Sequence, residues 1–381
     1  MNNRQEHPED AFPDLDDLLL PGKEEELHAV RIALRSRKSV AVTGPVGHGK
    51  TALALEAAFY IDRPAAVLRL QFVSSLLQIS ERLIAALLEI KPQEEIEDGI
   101  ERLSEQPEIT REKNGFKVYF PEWLDGLSVL EEVLALADDL ADPARPLIIV
   151  WEEFPDILDL GLKPSGPAAE RLAATLRRLE HVDNLFLGSR EPQMQALFES
   201  SDSEFFDLAT SISFGRSREI HFGLPVYKTL KAILGKKTAN DNASHIAKIA
   251  EGNPACTREL VRSFLIQCEL HGDKASVEAA ADELVRQRQA VYSTLWKMLG
   301  RVPRRVLSGL AQDEPPHRIF DLPASTINSA ARKLKTEGLI FQDERSKAYR
   351  IMDPLFARWI RQETARAGFG FRAELELPPE A

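Results

Sequence analysis

Apolar positions change rhythm several times along the chain, and each change predicts an element. From residue 24 to 37, Leu27, Val30, Ile32, Ala33 and Leu34 recur at helical spacing, which predicts an amphipathic helix. Residues 39–43 form a short β-branched run. After a glycine-rich stretch, residues 52–60 are strong helix formers without Gly or Pro. Residues 67–73 predict a second strand, and residues 74–89 place Leu and Ile at helical intervals. Residues 91–114 turn acidic and are broken by Pro92 and Pro107, before another helical pattern at 127–140. Continuous apolar runs at 146–151 and 184–188 suit strands buried on both faces of a parallel sheet, and residues 219–222 predict a last strand. Helical segments at 168–180 and 194–200 fall between them. Strand and helix therefore alternate as a doubly wound α/β parallel sheet demands.

Beyond Pro225 the strand signal stops. Residues 226–234, 243–251, 254–270 and 273–298 all read as helix. The next stretch predicts helices at 302–312 and 325–337, a turn at Pro315 and Pro316 between them, and strands at 339–341 and 349–351 around a charged turn at 343–347. That order is a helix-turn-helix with a hairpin wing. Ser325 is read as the N-cap of the second helix, and Ile327, Ala331 and Leu334 as its buried stripe. The expected organisation is an acidic leader over 1–20, an α/β domain over 21–224, a helical lid over 225–298, a winged-helix domain over 299–365 and a tail over 366–381.

With 381 residues, 44% of them apolar, the chain can fill two or three cores. Its net charge of −12 argues against coating nucleic acid with its whole surface. Charge is uneven, however: from Trp296 to the end, 15 Lys and Arg stand against 11 Asp and Glu. Arg332, Lys333, Lys335, Arg345 and Lys347 are therefore candidate contacts to double-stranded DNA. The alternative is a winged helix that only packs as a lid. Cys256 and Cys268 lack a nearby Cys and His set at zinc spacing and are expected to be buried or incidental thiols rather than a ligand or redox pair. The leader lacks a basic-then-apolar pattern and no run approaches 18 apolar residues, so a cytoplasmic protein without membrane contact is expected.

The chemistry concentrates in residues 44–51, Gly44, Pro45, Val46, Gly47, His48, Gly49, Lys50 and Thr51, which fit G-x-x-x-x-G-K-[ST] between a strand and a helix. Glycines let backbone N–H groups close around phosphate oxygens, Lys50 reaches the outer phosphates and Thr51 offers a hydroxyl to Mg²⁺. The pattern points to a nucleoside triphosphate. His48 is read as an outward side chain, because the loop backbone does the binding. After the apolar strand at 146–151 come Glu152, a metal-side acid acting through water, and Glu153, a candidate base for the attacking water. The plainer reading is two acids facing solvent where a strand ends. Ser189 and Arg190 follow the next strand; Ser189 can hold a water or phosphate oxygen. Arg190 is suited to gripping a γ-phosphate, the alternative being a surface pair with Glu191. Gly252, Asn253 and Pro254 open a helix, either as a simple turn or as a cover for a base.

In this order the motifs resemble the archaeal-type ATPases of the STAND class, within the wider AAA+ group, over about residues 20–365. Residues 21–27 are similar to the family's leading G-R-E-x-E-L element, with Lys23 where arginine is usual, which implies a place near adenine. Residues 44–51 resemble its Walker A and 149–154 its Walker B, with Glu152 where aspartate is expected. Residues 187–190 resemble its sensor strand, Gly252 to Pro254 its lid motif, and residues 349–355 with Trp359 its winged-helix ending. The resemblance implies ATP or ADP with Mg²⁺ as cofactors, Pro254 covering the base, and slow ATPase activity. It further implies a switch acting on a partner protein, a homo-oligomer or a DNA site. A DNA-associated AAA+ loader and a nucleotide-stabilised scaffold without hydrolysis are the alternatives.

Overall fold

The computed structural model describes Leu15 and residues 20–113, 115–314, 323–343 and 348–366. These residues fall into two compact units, one running Lys23–Gly215 and the other taking the described residues before Lys23 and from Arg216 onward.

The first unit begins with α1 (Glu24–Arg35), β1 (Val40–Thr43), α2 (Lys50–Tyr60), β2 (Ala65–Arg69), α3 (Leu76–Ile90) and α4 (Gln93–Ile100). A hairpin of β3 (Glu108–Glu112) and β4 (Gly115–Tyr119) precedes α5 (Gly126–Leu140), β5 (Leu147–Glu152) and a 3-10 segment at Phe154–Leu160. The unit closes with α6 (Pro167–Arg178), β6 (Val182–Gly188), α7 (Glu191–Phe198) and β7 (Thr210–Ser213). Five strands form one parallel sheet in the order β2-β5-β6-β1-β7. Because all five run the same way, their carboxyl ends lie along one edge, and neighbouring strands can offer side chains to one ligand there.

The central strands form as their composition demands: β5 and β6 are buried almost throughout, as helices on both faces of a parallel sheet require. Trp151, Phe154, Phe186, Phe198 and Phe205 pack ring against ring beneath the carboxyl edge. The Trp151 indole donates to Asn184 Oδ1 at 2.9 Å, which satisfies its one buried donor. At the opposite edge Asp183 binds Arg63 at 2.7 Å and Arg37 at 3.0 Å, tying β6 to the turns after α1 and α2.

Two local expectations need correction. Residues 219–222 are the first turn of a helix, not a strand, and the fifth strand is β7. Its polar sequence Thr-Ser-Ile-Ser gives no apolar signal because it is an edge strand, paired only to β1. The second strand ends at Arg69 rather than residue 73, because the chain turns there, with Val73 N donating to Leu70 O and Phe72 at φ 61°. The acidic stretch carries α4 and the β3–β4 hairpin.

The second unit contains α8 (Glu219–Leu234), α9 (Lys236–Ala250), α10 (Pro254–His271), α11 (Val277–Gln287), α12 (Gln289–Met298) and α13 (Arg301–Ala311). After residues outside the description come α14 (Ala324–Thr336), an antiparallel pair β8 (Ile340–Gln342) and β9 (Tyr349–Ile351), and α15 (Pro354–Arg366). The helix expected over 273–298 breaks at Arg288. Ile327, Ala331 and Leu334 are buried as expected, whereas Ser325 lies inside the first turn of α14 and Pro323 holds the cap position. Pro315, Pro316 and the turn residues Arg345 and Lys347 lie outside the described residues. All these helices and the hairpin share one apolar core. Tyr292 donates to Asp353 at 2.7 Å, and Asp353 caps α15 through Leu355 N at 2.8 Å, fastening α12 to α15.

Candidate nucleotide site

β1 ends at Thr43, and Gly44 N donates to Gly188 O at 3.0 Å, so the loop leaves the sheet directly beside the end of β6. Gly47 and Gly49 take φ of 74° and 90°, left-handed conformations that cost a residue with a Cβ about 1 kcal/mol or more. Gly44 is constrained differently: a Cβ there would meet the carbonyl oxygen of Phe214 at 2.2 Å. Gly49 is the N-cap of α2 and supplies no side-chain cap, so the first-turn N–H groups remain available to an anion, and the helix dipole favours one. Loop geometry and donor set thus fit a phosphate chain.

Lys50 is only 7% exposed, and its ammonium donates to Gly44 O at 2.8 Å and Pro45 O at 3.0 Å. Burial lowers its pKa from the usual 10.5, while Glu153 and Glu152 oppose that shift. Thr51 donates through its hydroxyl to Glu152 Oε1, and Arg69 on β2 binds Glu152 Oε2 at 3.0 Å. Thr51 and Glu152 therefore present oxygens side by side, the hard donor set that Mg²⁺ takes.

Glu153 breaks the strand: its φ of 54° turns the chain into the 3-10 segment and sends Phe154 into the aromatic core. Its Oε2 accepts from Ser189 N at 2.9 Å and Ser189 Oγ at 2.7 Å, and its Oε1 lies 3.6 Å from the Lys50 ammonium. Arg190 pairs with Asp156 Oδ1 at 2.5 Å and approaches Asp159 at 3.7 Å, rather than Glu191. Burial raises the Asp156 pKa, Arg190 pulls it down, and Glu153 and Asp159 add to the rise.

Lys50, Thr51, Glu152, Glu153, Ser189 and Arg190 thus converge on one edge of the sheet, and neither glutamate is a loose surface acid. Ser189 engages Glu153. His48 corrects the outward reading, since its side chain is fully buried. Pro254 belongs to the second unit, buried at the first position of α10, where Asn253 caps the helix by accepting from Cys256 N at 2.9 Å. Lys23 is buried too, donating to Gly215 O at 2.5 Å and lying 4.5 Å above the Phe214 ring.

Residues 19–187 match the family model of the AAA ATPase domain. This part of the chain resembles AAA ATPase domains, and its parallel sheet and glycine loop are those of the P-loop NTPase fold. Among solved structures, the Walker-type ATPase of Pyrococcus abyssi is 15% identical over 90% of this chain and 96% of that one, with a TM-score of 0.65. The ORC2 protein of Aeropyrum pernix, in ADPNP–ADP complexes, is 14% identical over 91% of this chain and 95% of its own, with a TM-score of 0.51. At such identities the likeness is one of fold. A search of curated proteins finds no match.

Sequence reading of the first unit missed Arg69 and Asp156, the partners of Glu152 and Arg190. Asp156 carried a faint signal, as a third acid four residues after Glu152. Arg69 carried none. In the second unit, Arg332, Lys333 and Lys335 are exposed on α14 together with Asn328 and Ser329. Cys256 and Cys268 are free thiols. Among the described residues no helix is long and apolar enough to cross a membrane, and no group of three or more His, Cys, Asp or Glu could hold a metal ion.

Proposed function

We propose that the chain binds ATP with Mg²⁺, hydrolyses it slowly, and uses the difference between ATP and ADP as a STAND-type cytoplasmic switch on a protein partner or DNA site. One observation carries this reading: a cation, a hydroxyl, two carboxylates and a guanidinium from three neighbouring strand ends converge beside a glycine loop. The AAA ATPase match over residues 19–187 supports it. So does the nucleotide content of the Aeropyrum pernix protein of similar fold, known with ADPNP and ADP.

In this reading the backbone of residues 44–51 and Lys50 hold the phosphates, and Thr51 and Glu152, through water, hold Mg²⁺. When bound, Mg²⁺ neutralises charge on the phosphates. Glu153 accepts the proton of the attacking water, Ser189 keeps its carboxylate oriented, and Arg190 meets the γ-phosphate. Slow turnover follows from two features. Glu152 is a methylene longer than the aspartate usual in this motif and is already engaged by Thr51 and Arg69, and Glu153 is held by Ser189 and attracted by Lys50.

Calorimetric titration with ATP and ADP in the presence of Mg²⁺ tests the reading, with Lys50→Ala as the control. No heat from either nucleotide would end it. Mass measurement with ADP or a slowly hydrolysed ATP analogue, with and without duplex DNA, then separates a switch from a loader.

The exposed face of α14 favours DNA as the second partner. Asn328, Ser329, Arg332 and Lys335 offer donors on one side of a helix followed by a hairpin. A loader would grip duplex there through Arg332, Lys333 and Lys335, with Arg345 and Lys347 of the turn. A scaffold without hydrolysis would instead release no phosphate.

A further inference from the structure

Arg190 does not approach the nucleotide loop as a free side chain. Its Nη2 is bound to Asp156 Oδ1 at 2.5 Å, with Asp159 Oδ2 at 3.7 Å, and among the described residues its Nε and Nη1 make no hydrogen bond. Both backbones that carry this pair are fixed. Asp156 sits in the 3-10 segment between Phe154 and Ile157, which are fully buried. Arg190 follows Gly188, whose partner in the sheet is Thr43 at the mouth of the nucleotide loop, and its carbonyl accepts from Met194 N at 3.0 Å.

We propose that Asp156 is a positioning residue that sets the preference for ATP over ADP, by anchoring one end of the Arg190 guanidinium so that its remaining N–H edge is presented to the γ-phosphate. This rests on the reading of the loop as an ATP site. A guanidinium is a planar fork, and holding one nitrogen leaves a second edge free for a phosphate. An arginine ordered before the ligand arrives spares that ligand the cost of ordering it. ADP lacks the group that Arg190 reads, so its affinity does not involve the anchor. The raised pKa of Asp156 fits a carboxylate that is costly to leave without its cation.

The test is the ratio of affinities for a slowly hydrolysed ATP analogue and ADP, measured by calorimetry at fixed Mg²⁺ and salt. Variants are Asp156→Ala, Asp156→Asn, Asp159→Ala, Arg190→Ala and the double Asp156→Ala/Arg190→Ala. Asp156→Ala is expected to reduce the preference for the analogue about two- to tenfold, the cost of immobilising one long side chain, with ADP affinity unchanged. Asp156→Asn, which keeps an uncharged acceptor, falls in the same direction by less, so it decides the matter if the alanine variant does not fold. Asp159→Ala stays at the wild-type ratio, because that carboxylate is farther away and mostly exposed. In the double variant the ratio matches Arg190→Ala alone, because the anchor acts only through the arginine. An unchanged ratio in the Asp156 variants overturns the inference. So does an increased one, which would make the carboxylate a competitor for Arg190, or independent multiplication of the two effects. If the wild-type protein binds neither nucleotide, the ATP-site reading falls first, a result plainly different from a wild type that discriminates and an Asp156 variant that does so equally well.

Discussion

Gly44 offers the sharpest test of how the nucleotide loop is built, because its constraint is a close approach and not a left-handed backbone. An alanine Cβ there would stand 2.2 Å from the carbonyl oxygen of Phe214 and 2.9 Å from its Cβ. A backbone carbonyl cannot rotate away as the end of a flexible side chain can, so β1 and β7 must part by roughly 1 Å to restore ordinary contact distance. Two backbone hydrogen bonds lie in the path of that shift, Phe214 N to Thr43 O at 2.7 Å and Gly44 N to Gly188 O at 3.0 Å. Overpacking of this kind costs about 1–3 kcal/mol. Weakening one of the two bonds adds about 1 kcal/mol. Gly44→Ala should therefore destabilise the nucleotide unit by about 2–4 kcal/mol, a large share of the roughly 5–15 kcal/mol that holds a typical domain.

With two compact units, global unfolding need not be a single transition, so the measurement should be local. Hydrogen exchange at the amides of residues 40–44 and 210–214, followed by mass spectrometry, reports the β1–β7 seam, and urea denaturation by circular dichroism supplies the total. Gly215→Ala is the matched control. It lies one residue past Phe214, has nothing within 4 Å of its added Cβ, and should stay within about 0.5 kcal/mol of wild type. If Gly44→Ala exchanges at the wild-type rate at this seam and unfolds at the wild-type urea concentration, the close-approach argument is wrong.

Three further outcomes follow from the site. Lys50→Ala should weaken ATP binding by about 2–3 kcal/mol, the worth of charge-assisted bonds to phosphate, as read by calorimetry; retention of wild-type affinity would remove Lys50 from the phosphate site. Because burial lowers the Lys50 pKa beneath 10.5, its charge is lost as pH rises through the lowered value. ATP affinity should accordingly begin to fall below pH 10.5 in wild type but not in Lys50→Ala, and parallel curves would contradict this. Glu153→Gln should bind nucleotide normally yet release phosphate about 10²- to 10⁴-fold more slowly in a coupled assay, and an unaffected rate would show that another group accepts the proton. For DNA, replacing Arg332, Lys333 and Lys335 together with Ala should flatten the dependence of log affinity on log salt by up to about 2.7 in fluorescence anisotropy, whereas an unchanged slope would remove α14 from the interface.

The legible parts of the chain are those whose cause is local. The glycine loop declared itself because the strand before it and the helix after it are separate local signals that agree. β5 and β6 were readable because strands covered on both faces must be apolar throughout. β7 was hidden for the same reason in reverse: an edge strand with polar residues resembles a loop until its partner is known. Residues 219–222 misled because Glu-Ile-His-Phe alternates like a strand, yet Ile220 is exposed and Phe222 buried on a helix that runs on through Pro225. The partners of the site were harder still. Arg190 and Asp156 are 34 residues apart and Arg69 and Glu152 are 83 apart, and nothing in either segment names the other until the order of the strands is fixed.

The two consecutive glutamates show how one backbone residue divides labour at such a site. In a continuing strand their side chains would leave opposite faces of the sheet, and only one could reach the loop. Glu152 keeps the strand geometry, paired in register with Arg69 on one side and reaching Thr51 with its carboxylate. Glu153 instead adopts a left-handed conformation that costs a non-glycine residue on the order of 1 kcal/mol. The burial of Phe154 among four other aromatic rings, together with the two bonds from Ser189, is enough to hold it there. Glu152 thus faces Thr51 and Glu153 faces Lys50 and the end of β6, so the two carboxylates reach different partners through one strained φ rather than through a longer loop.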